Sequence, residues 1–139
     1  MKTLLLVDGS ENALRATRYA IALAHANPGM EIHALNVQEP LEPRIRAYLS
    51  QQEIDKIEMD AGREALAPSE KLFAEAGVAC RFRVRIGSIP ESIAQYVDDE
   101  HCTAIVMGTR GMSAIANLVM GSVATKVVHA VHVPVTLVK

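Results

Sequence analysis

Short aliphatic runs alternate along this chain with longer stretches whose apolar residues recur at helical spacing, and that alternation restricts the fold more than any other feature. Leu4-Leu5-Leu6-Val7 predicts a first buried strand. Asp8-Gly9-Ser10-Glu11-Asn12 then combines a turn with helix-start chemistry, and Ala13, Leu14, Thr17, Ala20, Ile21 and Ala24 carry a helix that Pro28-Gly29 ends. Glu31 to Val37 predicts a second strand, with Pro40 and Pro43 in the loop after it. Arg44 to Gly77 is amphipathic and helical, with Ile45, Leu49, Ile54, Ile57, Leu66 and Leu72 as inward positions. Pro68 lacks an N–H, which predicts either a kink or two helices meeting near Ala67-Pro68-Ser69, and Gly77 is the stop. Val78 to Ile86 predicts the third strand, Ile89 to Val97 a helix with Pro90 in its first turn, and Thr103 to Met107 the fourth strand. Ser122 to Val131 predicts the last helix and Pro134 to Val138 the fifth strand.

Strands separated by amphipathic helices require a mostly parallel sheet covered on both faces, because a parallel crossover must pass over the sheet. The expected fold is therefore α/β: a single doubly wound five-stranded parallel sheet, strand order 3-2-1-4-5, helices on both faces, Rossmann-like or flavodoxin-like. No linker or low-complexity tract interrupts it, so residues 1–139 are read as one domain. Fourteen Lys and Arg against sixteen Asp and Glu give a net charge of −2, which provides no basic footprint for nucleic acid or an anionic membrane. No apolar run approaches the about 18 residues of a spanning helix, and Met1 to Val7 enters Asp8-Gly9-Ser10 too early for a signal-peptide core. A cytoplasmic location is expected. Cys80 and Cys102 form no Cys-x-x-Cys pair and read as reduced core residues.

In such sheets ligands bind beyond the carboxyl ends of the strands, where strand order reverses. Attention falls on the segments after strands one, two and four. Gly108-Thr109-Arg110-Gly111, nine further residues and Gly121-Ser122 lie between the fourth strand and the last helix. Glycines there let a ligand approach the backbone, and the first turn of a helix offers N–H donors and the positive end of its dipole to an anion. The Ser122 hydroxyl and the Arg110 fork suit phosphate. The plainer alternative is that these glycines only make turns and that Ser122 caps the helix. Asp8 is expected to cap the first helix and, in addition, to stand beside phosphates with Mg²⁺ or Mn²⁺ between them.

The chain resembles the universal stress protein family, specifically its ATP-binding subgroup, along its whole length. The resemblance rests on Val7-Asp8-Gly9-Ser10-Glu11-Asn12, Asn36-Val37-Gln38-Glu39-Pro40, Met107-Gly108-Thr109-Arg110-Gly111 with Gly121-Ser122-Val123, and Val133-Pro134-Val135. It implies ATP or another adenine nucleotide, with Mg²⁺ or Mn²⁺, as ligand. The implied nucleotide site comprises Val7, Asp8, Gly9 and Ser10 from the first turn, Val37 at the adenine, and Met107, Gly108, Arg110, Gly111, Gly121, Ser122 and Val123 at ribose and phosphates; Asp8 is the metal-side carboxylate. Many ATP-binding relatives have proline where this chain has Val7 and histidine where it has Asn36. The resemblance also implies a homodimer through the C-terminal strand, Pro134 to Val138, whose alternating apolar residues would otherwise border the sheet unpaired. An unidentified protein partner is compatible with a signalling role.

Other chemistries lack their signatures. The chain has no Gly-x-x-x-x-Gly-Lys-[Ser/Thr], Gly-x-Gly-x-x-Gly, Gly-x-Ser-x-Gly or His-Glu-x-x-His. A phosphoacceptor role for Asp8 is disfavoured because no second acid adjoins it and the third strand ends in Arg85-Ile86-Gly87-Ser88. His129 and His132 have no acidic or cysteine companion nearby and read as helix-end or interface residues; Arg44, Arg46, Tyr48 and Asp98-Asp99-Glu100 read as solvated. The reading is a nucleotide-dependent signalling or stress-response module rather than an enzyme. The alternatives are a slow metal-dependent ATP hydrolase and an interaction protein that binds no nucleotide.

Overall fold

The computed structural model describes residues 1–109 and 121–139. Its elements in chain order are β1 (Lys2–Leu6), α1 (Glu11–Ala26), β2 (Glu31–Gln38), α2 (Pro43–Arg46), α3 (Gln51–Ala76), β3 (Arg81–Ile86), α4 (Ile89–Glu100), β4 (Ala104–Gly108), α5 (Ser122–Ala130) and β5 (Val135–Val138). The strands form one five-stranded sheet in the order β3-β2-β1-β4-β5, and every neighbouring pair is parallel. The expected architecture and strand order are observed.

Because successive side chains of a strand point to opposite faces, the continuous run in β1 feeds two cores. Leu4 and Leu6 join Leu35, Ile105 and the α4 and α5 residues Ile93, Tyr96, Val97, Ala124 and Val127. Leu5 and Val7 join Ile32, Ala34, Val106 and the α1 and α3 residues Ala13, Ala16, Ala20, Leu66 and Phe73. The first face also buries a polar pair: His33 is 1% exposed, its Nδ1 lies 2.7 Å from the Tyr96 hydroxyl, and its Nε2 lies 3.0 Å from Glu31. Both ring nitrogens thus have partners, which is the condition for burying an imidazole at little cost.

The stretch from Arg44 to Gly77 differs from the sequence expectation. The helical break falls at Ala47–Ser50, between α2 and α3, and α3 runs through Pro68 without interruption, so no two helices meet there. Ser50 explains the restart: its hydroxyl accepts the Glu53 N–H at 3.1 Å while Glu53 accepts the Ser50 N–H, a reciprocal capping box. Pro68 is tolerated because it and Glu64, whose carbonyl loses its partner, lie on the exposed side of the helix. The inward stripe is also rotated. Ile54 and Leu66 are buried as expected, but Ile45 and Ile57 are exposed, and Glu58, Gly62, Ser69 and Phe73 take the inner positions. These polar residues are satisfied inside: Glu58 accepts the Leu41 N–H at 3.0 Å and Ser69 lies 2.8 Å from the Thr17 hydroxyl.

Both cysteines are free thiols; Cys102 is buried and Cys80 half-buried, with burial pushing the Cys80 thiol up to about 12. Among the described residues no helix is long and apolar enough to cross a membrane.

Candidate nucleotide site

α1 leaves β1 over one face of the sheet and α5 leads from β4 over the other, so strand order reverses between the adjacent strands β1 and β4. The two chain directions diverge there and leave a cleft. A cavity of about 500 Å³ opens at this point, within the size range of small-molecule sites.

The β1 rim is held by a chain of local bonds. The Val7 N–H donates to the Leu35 carbonyl at 3.0 Å, extending the ladder past the end of β1. Gly9 then adopts φ +85°, a left-handed conformation that L side chains rarely take. The Ser10 N–H donates to Asp8 Oδ1 at 3.0 Å, and the Ser10 hydroxyl accepts the Ala13 N–H at 3.1 Å. Ser10 is therefore the cap of α1, a role typically contributing about 1 kcal/mol, and Asp8 is not. Asp8 instead closes the turn two residues ahead of itself and stands exposed at the lip of the cleft.

On the β2 side, Val37 lines the cleft half-buried, and Asn36 is 3% exposed. The Asn36 amide donates to the Val7 carbonyl at 2.7 Å and accepts from the Gln38 amide at 2.7 Å. Asn36 thus ties the β1 and β2 rims together.

The third rim is β4 and the start of α5. Met107 is buried at the cleft wall, and Gly108 follows where a Cβ would come within 2.9 Å of the Asn12 Cβ. The Gly121 N–H donates to the Thr109 carbonyl, which brings the N-terminus of α5 beside the end of β4. Gly121 is the N-cap residue and Ser122 the first helical residue, so the Ser122 side chain is not the cap, and no side chain among the described residues caps α5. Ser122 and Val123 are exposed at the cleft, whose anion-favouring end is this helix terminus. Lys126, one turn further along α5, adds a cation.

Of the expected site residues, Val7, Asp8, Ser10, Val37, Met107, Gly108, Gly121, Ser122 and Val123 line one cavity. Gly9 shapes the β1 turn without lining it, and Arg110 and Gly111 lie outside the described residues. His129 and His132 are exposed and, like Arg44, Arg46 and Tyr48, do not line the cavity. The sequence reading missed the wall formed by Ser88, Ile89, Pro90 and Ile93 at the start of α4, and also Thr109, Glu39 and Lys126. The Gly87-Ser88-Ile89-Pro90 turn was the available signal: a helix beginning after β3 starts at the same end of the sheet as the other ligand-facing loops. Glu91 beside this wall is held below its usual 4.5 first by the Ser88 hydroxyl, then by its own N–H, with Lys126 a weaker cause. Among the described residues no group of three or more His, Cys, Asp or Glu side chains could hold a metal ion.

Fold and cleft together define a doubly wound α/β protein with an open cleft at its strand-order switch point. More narrowly, the chain belongs to the universal stress protein family, whose pattern matches residues 1–139. A universal stress protein of Thermus aquaticus is 35% identical over 144 residues, covering 99% of this chain and 98% of that protein. Universal stress protein MJ0531 of Methanocaldococcus jannaschii is 30% identical over 140 residues, covering 99% and 81%. Among solved structures, the Archaeoglobus fulgidus universal stress protein in complex with dAMP matches with a TM-score of 0.72 at 21% identity, covering 100% of this chain and 98% of that one. A family protein from Arabidopsis thaliana with AMP bound matches with a TM-score of 0.70 at 20% identity, covering 100% and 91%. At these identities the structural likeness is one of fold.

Proposed function

We propose that the cleft binds an adenine nucleotide, ATP with Mg²⁺ or Mn²⁺, and that the protein is a nucleotide-dependent signalling or stress-response module. The observation that carries this reading is the junction of β4 and α5. Gly108 has no room for a side chain, Gly121 is held against Thr109, and the N-terminus of α5, which no side chain among the described residues caps, opens into the cavity. Such a junction offers backbone donors and a dipole to a phosphate chain, while Val37 and Met107 offer apolar walls to a base. Relatives with dAMP and AMP bound support the adenine class of ligand.

A metal fits this site as an ion carried by the nucleotide rather than by a protein cage. Magnesium keeps waters and phosphate oxygens in its shell and takes one or two carboxylates, and Asp8 stands exposed at the lip where one would be needed. When bound, the ion offsets the repulsion between Asp8 and the phosphates.

The same reading includes a second copy of the chain, paired through Pro134 to Val138. β5 borders the sheet, carries no charge over its four residues, and is the kind of edge that strand pairing covers.

Calorimetric titration of wild type and Gly121→Val with Mg-ATP tests the site. Gly121 sits at φ −70°, so valine adds bulk without a left-handed strain. The expected result is saturable wild-type binding weakened at least about tenfold in the variant, from lost access to the helix terminus. Absence of wild-type binding to ATP, ADP and AMP with magnesium supplied would overturn the reading.

A further inference from the structure

Asn12 occupies a place where asparagine is costly: the second residue of α1, 6% exposed, with an amide that must find partners inside the protein. It finds them across the fold. Its Nδ2 donates to the Thr109 hydroxyl at 3.3 Å, a contact spanning 97 residues, and its Oδ1 accepts from the Arg15 guanidinium. Arg15 Nε in turn donates to the main-chain oxygen of Lys139 at 3.1 Å. Thr109 is itself a node: its N–H donates to the Val138 carbonyl at 3.0 Å, and its carbonyl accepts the Gly121 N–H. Beside it, a Cβ on Gly108 would lie 2.9 Å from the Asn12 Cβ and 3.2 Å from the Asn12 carbonyl, so the first turn of α1 rests directly on the end of β4.

We propose that Asn12 is a positioning residue for the polyphosphate end of the cleft: by joining the first turn of α1 to Thr109 it sets the distance between the Asp8-Ser10 rim and the Gly108-Gly121 rim. The proposal rests on the nucleotide reading above. Asn12 follows Ser10 by two residues on the same turn, while Thr109 holds Gly121, so one buried amide links the two sides that a phosphate chain would bridge. Losing it leaves the base-side wall in place but lets the phosphate-side rims drift. A merely structural role would weaken adenosine and ATP alike; a positioning role weakens ATP selectively.

The test compares wild type with Asn12→Ala, Thr109→Val and the conservative Thr109→Ser. Mg-ATP and adenosine are titrated separately, and hydrogen exchange at the Thr109 and Gly121 amides is followed without ligand. Asn12→Ala and Thr109→Val are expected to weaken Mg-ATP about five- to tenfold and adenosine by less than about twofold, the effect of one buried hydrogen bond. Thr109→Ser, which keeps the hydroxyl that Asn12 meets, is expected to bind Mg-ATP more tightly than Thr109→Val, and Gly121 exchange is expected to quicken in Asn12→Ala and Thr109→Val only. Should Asn12→Ala fail to fold, Thr109→Val against Thr109→Ser decides the same question. An unchanged ATP-to-adenosine ratio, or equal losses in Thr109→Ser and Thr109→Val, would overturn the proposal. If wild type binds neither ligand, the nucleotide reading fails; unchanged exchange at Thr109 and Gly121 refutes the role of Asn12 separately.

Discussion

β3 and β5 each border the sheet on one side only, yet they meet solvent with opposite chemistry. β3 reads Arg81-Phe82-Arg83-Val84-Arg85-Ile86, and its three arginines share the face that also carries His33, Leu35 and Val37 of β2. Arg83 Nη1 donates to the Phe82 carbonyl at 3.0 Å, occupying a main-chain acceptor with a guanidinium, and Arg85 lies 5.2 Å from the centre of the Tyr96 ring. The other face of β3 is covered by α3, with Phe82 edge-on to Phe73 at 5.8 Å. β5 is Val135-Thr136-Leu137-Val138; Val135 and Leu137 pack on the first core and Val138 on the second, with no charge along the strand. A charged edge resists pairing with another strand, and an uncharged edge invites it. The inviting edge is also the one joined to the cleft, through the Val138 carbonyl and the Thr109 N–H.

Giving β5 the chemistry of β3 is the most severe way to break this contrast. Thr136 is exposed, so Thr136→Arg should leave the fold intact and, where two copies pair through β5 as proposed, raise the dimer dissociation constant at least about 100-fold, because pairing would bury an unpartnered charge. Sedimentation velocity over a concentration series checks it, and wild-type-like association of the variant would place the pairing surface elsewhere. A smaller effect is expected where α3 supports β3. A Cβ on Gly62 would lie 2.4 Å from Val84 Cγ1, a short branched side chain that cannot swing aside. Overpacking costs about 1–3 kcal/mol, against about 1 kcal/mol gained in helix propensity, so Gly62→Ala should lower urea stability by up to about 2 kcal/mol. Pairing it with Val84→Ala should recover most of the overpacking cost.

The smallest change concerns acid stability at the start of β2, beside β3. Glu31 is held below its usual 4.5 mainly by the His33 hydrogen bond, with Lys2, His33 and Arg81 adding charge attraction. A carboxylate with a depressed folded value contributes stability above 4.5, and that contribution is lost as pH falls through the folded value. Denaturation midpoints of Glu31→Gln should therefore fall less steeply than those of wild type below pH 4.5, with the two curves parallel at neutral pH. Identical acid limbs would show that Glu31 titrates alike in the folded and unfolded states, and that the His33 contact does not depress it.

The parts of the site that local chemistry shapes were legible in the sequence. Gly9, Ser10, Gly108 and Gly121 sit at turns and helix starts, where backbone conformation and capping select the residue type, and the structure finds them around or beside one cleft. The inner stripe of α3 was not legible. Glu58, Gly62 and Ser69 are inward because Leu41, Val84 and Thr17 come from elsewhere to meet them, and periodicity cannot count partners distant in sequence. The α4 wall of the cleft was missed for a related reason: its place depends on where a crossover ends, not on its own residues.

The alternation of aliphatic runs with amphipathic stretches determined the parallel sheet, since a period of two or 3.6 residues fixes which side of each element must be covered. Only the tertiary structure decided that Asn12 meets Thr109 and that Asn36 closes on Val7. Hydrogen bonds need donor and acceptor within about 3 Å in a set direction. Residues separated by 97 positions reach that geometry only once the sheet has brought their strands and helices side by side.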